Sequence, residues 1–490
     1  MIGITCYGAY VPRLRLSRAA AAQANAWANP ALLAQARGER SMANWDEDSL
    51  TMAVEAARDA LAGRGTDGIG ALYFGSTTHP FADRQTGLQG AEVAAALDLS
   101  ESISSADLGG AQKAGTAALI AALDRAAAGR PGEALVVAAE HRRARPGSAQ
   151  ELQYGDAAAA FTVGGSEVIA EFLGSHSVSV DFVDHYRATG QEFDYIWEER
   201  WLRDEAFQKW VPAAVKAGLE KMAIAPGSID HFVLAEPVAK LAALVAKRCG
   251  ITDTAIADSL LGVVGHAGSA HAPLMLAAVL QKAQPGQTIV VVGFGQGCDV
   301  LAFRTTAALG ELPARNGVAG SLKRRKEEKN YPKFLSFNET LALEKGLRGE
   351  ANPQTALSAM YRNRRMLSGL VGGSCTKCGT AQFPPADICV NPSCHHQGPM
   401  QPYRFADEAA RIKTWSADWL TYTPDPPAHY GMVEFERGGR FVADITDWDL
   451  GKVEVGQPVR MVFRVRGRDA QRGMVRYFWK AAPLAGTGEH

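Results

Sequence analysis

Ala106–Leu119 reads ADLGGAQKAGTAAL. A glycine pair breaks the chain there. The alanine-rich run that follows, AGTAALIAALDRAAAG, has the apolar spacing of an amphipathic helix closed by glycine. Gln112 therefore stands at a helix N-terminus. The surrounding sequence keeps the same rhythm. GALYFGS and EALVVAAE are short apolar runs bounded by glycine or charge, as buried strands are, and DSLTMAVEAARDALAG is a second amphipathic helix. Further on, HFVLAEP, a helical stretch and TIVVVGFG repeat the alternation. Such alternation builds a layered α/β fold with mostly parallel sheets. It occurs twice over residues 1 to about 310.

The remainder of the chain differs in kind. GSLKRRKEEKN, residues 320–330, is a charged run that reads as solvated surface or linker. Residues 340–368 read as helix, and the tail is β-rich. In VRMVFRVRG, Val459, Met461, Phe463 and Val465 alternate with mostly arginine, the period of a half-buried strand. RFVADITDWD and KTWSADWL are further strand candidates, and a small β-barrel fits them. Ahead of this tail lies C-x2-C-x10-C-x4-C: Cys375, Cys378, Cys389 and Cys394. Turns at Gly379 and Asn391-Pro392 shape two knuckles, and four thiolates are what tetrahedral zinc takes. His395 and His396 are adjacent alternatives to Cys394 as a ligand. The other three cysteines, Cys6, Cys249 and Cys298, are scattered.

The 490 residues suggest two to four domains. The chain is 47% hydrophobic and 21% charged, an ordinary globular composition. A net charge of −1 gives no electrostatic case for nucleic acid or a membrane surface. No apolar run reaches the roughly 18 residues of a membrane span, and MIGITCYGAYVPRL has no signal-peptide pattern. The expectation is a cytoplasmic protein, where clustered cysteines favour a metal over disulfides.

Several segments in order resemble the HMG-CoA synthase and ketoacyl-ACP synthase branch of the thiolase superfamily. They are YVPRLRL, GSTTHPFADRQT, ADLGGAQKAGTAAL, PGSAQELQYGDAAAAF, DFVDHYRATG, GHAGSAHAPLMLAAVL and GFGQGCD. The resemblance implies two βαβαβαββ halves, 1–165 and 166–345, in a five-layer αβαβα sandwich. Residues 346–400 and 401–490 resemble a zinc-ribbon and OB-fold module that accompanies thiolase-like enzymes of acyl-CoA metabolism. A homodimer is expected of such a fold.

The resemblance also assigns catalytic positions, and this chain departs from most of them. The family's glutamate base becomes Thr77 in GSTTH, its acylated cysteine becomes Gln112, and its histidine becomes Ala235 in VLAEP. The asparagine of a GN turn becomes His266 in VVGHAGSAH. An amide is no nucleophile, so acyl transfer at Gln112 is excluded. Gln112 keeps donors that suit a carboxylate or thioester oxygen at a helix N-terminus. His266 is the expected acid/base group. Thr77 and His79 complete the candidate set, with His79 and His271 read chiefly as structural. Cys298, at the end of GFGQGCD, reads as a small buried hydrophobe rather than a replacement nucleophile.

The expectation is an acyl-CoA enzyme that makes or breaks a C–C bond beside a CoA thioester through an enolate. Retro-aldol cleavage needs no thiolate and comes first, with decarboxylation second. The alternative is a non-catalytic acyl-CoA-binding or scaffold subunit that works with a partner thiolase.

Overall fold

The computed structural model describes residues 1–80, 89–188, 190–196, 198–344, 356–469 and 472–484. The chain forms two compact units. One comprises Met1–Asn44, Asp48–Ala91 and Ser100–Thr340; the other comprises Trp45–Glu47, Glu92–Leu99 and Leu341–His490.

In the first unit the chain order is β1 (Gly3–Tyr10), α1 (Ser49–Ala60), β2 (Ile69–Gly75), β3 (Ser104–Leu108), α2 (Ala114–Ala127), β4 (Glu133–Glu140) and β5 (Ala157–Gly164). The second half follows as β6 (Ala170–Ser179), α3 (Val211–Lys221), β7 (His231–Leu234), α4 (Leu241–Cys249), α5 (His271–Leu280), β8 (Thr288–Phe294) and β9 (Gly297–Thr305). The sheet order is β7-β8-β9-β6-β1-β5-β4-β2-β3. The halves correspond pair by pair. In each, the first strand is antiparallel to the last, the last is antiparallel to its predecessor, and that predecessor runs parallel to the next strand. The duplication read from the sequence is thus present in the ladder. The third strand of the second half is reduced to one parallel bridge, Phe232 to Ile256.

The expectation of mostly parallel sheets is corrected. Of the eight pairings in this nine-stranded sheet, β2–β3, β2–β4 and β7–β8 are parallel and the other five are antiparallel. The connection from β8 to β9 is only Gly295 and Gln296, too short for a crossover, so β9 must turn back on β8. The charged run is corrected too. Gly317–Lys323 is helical and Lys326–Glu328 pairs in parallel with Leu14–Leu16, so the segment is a folded edge strand rather than a linker.

Helices α2 and α5 share one core cluster with strands of both halves. Helix α1 packs on β1, β5 and β4, while α3 and α4 belong to a second cluster with β7, β8 and β9. The result is helix, sheet, helix, sheet, helix. Glycines set the inner spacing. A Cβ on Gly75 would lie 2.7 Å from the Ala114 carbonyl oxygen, and one on Gly293 would lie 2.3 Å from Thr116 Oγ1. Bare strand ends therefore let the N-terminal turn of α2 come close.

In the second unit, Val371–Ser374 pairs antiparallel with Ala381–Gln382 and Gln401–Arg404. Five further strands are antiparallel in the order Arg440–Asp444, Ala428–Phe435, Ala410–Asp418, Pro458–Asp469, Met474–Pro483. A bridge from Ile445 to Ala481 brings the two edge strands together, which gives the expected barrel. Val459, Met461, Phe463 and Val465 are buried as their spacing predicts, but so is Arg464. Of the helix read over 340–368, Leu357–Arg362 and Arg364–Ser368 are helical, and residues 345–355 lie outside the described residues.

Candidate active site

The site grows from the C-terminal ends of β2 and β4, the N-terminus of α2 and the His266–Ser269 turn. Glu140 ends β4 and is fully buried. One carboxylate oxygen accepts from the Thr77 amide (2.8 Å), the Thr77 hydroxyl (3.0 Å) and the Ser269 hydroxyl (2.5 Å); the other accepts from Thr78 Oγ1 (2.7 Å). This carboxylate ties three segments together, and Ser269 is 129 residues away in sequence. Charge-assisted bonds of this kind are roughly twice as strong as neutral ones.

Gly268 is where the groups converge. A Cβ there would lie 2.9 Å from Gln112 Oε1, 3.0 Å from Arg142 Cδ and 3.1 Å from Glu140 Cγ. Gln112 Oε1 is buried and accepts no hydrogen bond among the described residues. A Cβ on Gly295 would lie 2.7 Å from the Gln112 amide nitrogen, so that strand end also crowds the helix tip.

His266 is held from both sides. Its amide donates to the Gln153 carbonyl (2.7 Å), and its carbonyl accepts from the Gly155 amide (3.1 Å). On the ring, Nδ1 faces two donors, Arg142 Nη1 at 3.0 Å and the Gly268 amide at 3.3 Å. Two donors on one nitrogen place the ring proton on Nε2. Burial, then His271 and then Arg142, push the His266 pKa well below its ordinary value. The imidazole is neutral and presents an N–H.

Arg142 is buried, stacks over the Tyr154 ring at 3.5 Å and donates through Nη2 to Asp194 (3.4 Å). Asp194 also accepts from Arg187 (3.0 Å), whose other nitrogen donates to the Thr77 carbonyl (2.8 Å). A cavity of about 140 Å3 opens beside this network, lined by Arg142, Tyr154, His185, Glu198, Leu202 and His266 among others. Burial raises the Tyr154 phenol to about 12, and its oxygen has no partner among the described residues.

The structure gathers Gln112, Thr77 and His266 around Glu140 and Gly268. His79 stands aside, edge-on to Phe74 with ring centres 4.7 Å apart, and burial lowers its pKa. Of these four residues only His266 lines the cavity. His271 accepts from the Ala267 amide through Nδ1 and donates from Nε2 to the Ser259 carbonyl at 2.9 Å, a satisfied structural histidine with its pKa lowered to about 4. Cys298 is fully buried and its thiol pKa is pushed far up by burial. Sequence reasoning missed Glu140, Arg142, Tyr154 and His185. The available signals were the carboxylate closing an apolar strand in EALVVAAE and the adjacent Asp184-His185 in DFVDHYRATG.

In the ribbon, the sulfurs of Cys375, Cys378, Cys389 and Cys394 all lie within 4.8 Å of one another, with Cys375–Cys394 at 3.9 Å and Cys378–Cys389 at 3.5 Å. Four sulfurs at about 2.3 Å from a zinc are about 3.8 Å apart, so the set fits one tetrahedral ion. The Lys377 amide, 3.4 Å from Cys375 Sγ, adds a donor to a thiolate. Cys394 itself closes the set, not His395 or His396.

Fold and site together define a thiolase-fold protein with an amide side chain, Gln112, at the tip of its central helix, followed by a zinc ribbon and an OB-fold. Comparison with known proteins agrees. Residues 219–304 match the C-terminal domain of 3-oxoacyl-[acyl-carrier-protein] synthase III, 368–398 the rubredoxin-like zinc ribbon domain of ChsH2, and 405–464 its C-terminal OB-fold domain. The hydroxymethylglutaryl-CoA synthase of Methanocaldococcus jannaschii is 32% identical over 352 residues, 70% of this chain and 100% of that protein. That of Thermococcus onnurineus is 33% identical over 307 residues, 62% and 85% of the two chains. A crystal structure of HMG-CoA synthase complexed with CoA superposes with TM-score 0.59 at 17% identity, covering 72% of this chain and 95% of that one. The chain belongs to the hydroxymethylglutaryl-CoA synthase family of the thiolase superfamily, extended by ChsH2-type zinc-ribbon and OB-fold domains.

Proposed function

We propose that this protein acts on a CoA thioester, making or breaking the C–C bond beside it through an enolate, with no acyl-enzyme and with retro-aldol cleavage favoured. The observation that carries the reading is Gln112. It occupies the N-terminal tip of the central helix, its side-chain carbonyl accepting no hydrogen bond among the described residues, beside a satisfied Glu140–Thr77–Ser269 hub. Claisen chemistry needs a thiolate there. Enolate chemistry needs oriented donors, and the chain supplies the Nε2–H of a neutral His266, the Gln112 carboxamide and the amides at the tip of α2. In this reading His266 acts as donor. Arg142 and the Gly268 amide block its other nitrogen, and a low pKa disfavours its taking a proton at neutral pH. A CoA thioester as ligand follows from the family. Decarboxylation of a malonyl-type thioester is served by the same donors.

A second reading is a non-catalytic acyl-CoA-binding subunit. Gln112, Ala235 and Thr77 at three positions where the family has reactive groups favour it. Turnover decides. Purified protein with 3-hydroxyacyl-CoA or malonyl-CoA thioesters is expected to release a shortened thioester, with no adduct in the intact mass. Thermal stabilisation by CoA thioesters without any turnover would establish the binding subunit instead. A stable thioester adduct, on Cys298 or any other thiol, would overturn the non-covalent reading.

A further inference from the structure

Two histidines line the cavity, and their partners give them opposite characters. His266 meets donors on Nδ1 and so carries its proton on Nε2. His185 meets a carboxylate: its Nδ1 lies 2.6 Å from Asp184 Oδ2. The two side chains are 7% and 3% exposed, so the pair is desolvated and held. A carboxylate on Nδ1 fixes the proton there and leaves the Nε2 lone pair as the acceptor. That nitrogen makes no hydrogen bond among the described residues, although the ring lines the cavity.

We propose that the Asp184–His185 pair is the base that takes the hydroxyl proton of a 3-hydroxyacyl thioester in this cavity. The inference rests on the lyase reading above. A second observation points to a polar ligand atom at the same place. The Tyr154 hydroxyl is buried without a partner among the described residues, and its ring lies 6.4 Å from that of His185. A buried hydroxyl left unpaired is unfavourable, and a ligand hydroxyl would relieve it. The cavity volume, about 140 Å3, is near the roughly 150 Å3 that holds a six-carbon ring, so it suits the hydroxylated end of a short acyl chain.

The step balances with no co-reactant. His185 Nε2 takes the proton of the 3-hydroxyl, and the O–H electron pair becomes the second bond of a carbonyl. The Cα–Cβ bond breaks, and its electrons pass to the thioester as an enolate whose oxygen accepts from His266 Nε2–H. The imidazolium returns the proton to Cα. An aldehyde or ketone and a shortened thioester leave. Asp184, on Nδ1, steadies the imidazolium, as a carboxylate does for a general-base histidine. Arg142, Tyr154, Glu198, Glu199 and His266 line the same cavity as His185, and Asp194 and Arg187 continue the ion-pair chain from Arg142.

The test measures release of acetyl-CoA from 3-hydroxybutyryl-CoA and 3-hydroxy-3-methylglutaryl-CoA by the full chain and by His185→Gln and Asp184→Asn. The expected result is a loss of about 10² to 10⁴ in kcat for His185→Gln, the range of a general base. Asp184→Asn is expected to lose less and to move the ascending limb of the pH–kcat profile to lower pH, because removing a carboxylate lowers the proton affinity of its histidine. A merely structural pair would not move that limb. Should His185→Gln fail to fold, the shift in Asp184→Asn carries the test. If wild type cleaves these thioesters and His185→Gln stays within about threefold of it, the base assignment falls and the lyase reading stands. If wild type cleaves neither, both fall.

Discussion

Gly268→Ala probes the convergence at the site directly. The residue has φ +49, and its added Cβ would meet Gln112 Oε1 at 2.9 Å, Arg142 Cδ at 3.0 Å and Glu140 Cγ at 3.1 Å. Arg142 and Glu140 are buried and hydrogen-bonded, so neither can retreat cheaply. Left-handed backbone costs an alanine about 1–2 kcal/mol, and overpacking a filled core costs about 1–3 kcal/mol. The sum is about 2–5 kcal/mol. Two other glycines separate the terms. Gly129, at φ +67 with nothing within 4 Å, should show only the backbone cost on replacement by alanine. Gly65 has no left-handed φ and nothing within 4 Å, so Gly65→Ala should be neutral or stabilising by up to about 1 kcal/mol. Hydrogen exchange on peptides from β4 and α5 reads the stability of this unit alone. Gly268→Ala falling within about 1 kcal/mol of Gly129→Ala would refute the packing of Gln112, Arg142 and Glu140 on this turn.

Other outcomes are equally open to measurement. Metal analysis of protein purified without chelator should find one zinc per chain, and Cys378→Ser should lower it and loosen the ribbon in hydrogen exchange. Stability of the first unit should fall as pH drops from about 6.5 toward 4, because His271 and His266 are buried neutral and the unfolded chain binds their protons first. For His271 the gap between 6.5 and about 4, at about 1.4 kcal/mol per factor of ten, amounts to about 3 kcal/mol, read as the low-pH limb of a urea-midpoint profile. Cys6, Cys249 and Cys298 are all buried, so native protein should resist thiol labelling there until it unfolds; rapid labelling of Cys298 would contradict its burial.

What the sequence determined was local. Apolar runs in GALYFGS and EALVVAAE became strands, and the glycine-closed alanine run after Gln112 became the central helix, because burial of one face follows spacing within a single element. The four cysteines were legible as a metal site because knuckle turns bring near neighbours in sequence together. Tertiary structure alone decided strand direction, which set β4 against β5 antiparallel, and it alone decided the state of each histidine. His266 and Arg142 are 124 residues apart in sequence yet 3.0 Å apart in space, and that contact makes His266 a neutral donor. Asp184 and His185 are adjacent in sequence, yet neither adjacency nor composition says that the pair is buried or that it lines a cavity. Proton affinity depends on the charges and solvent around a group, and those come from segments that meet only when the chain has folded.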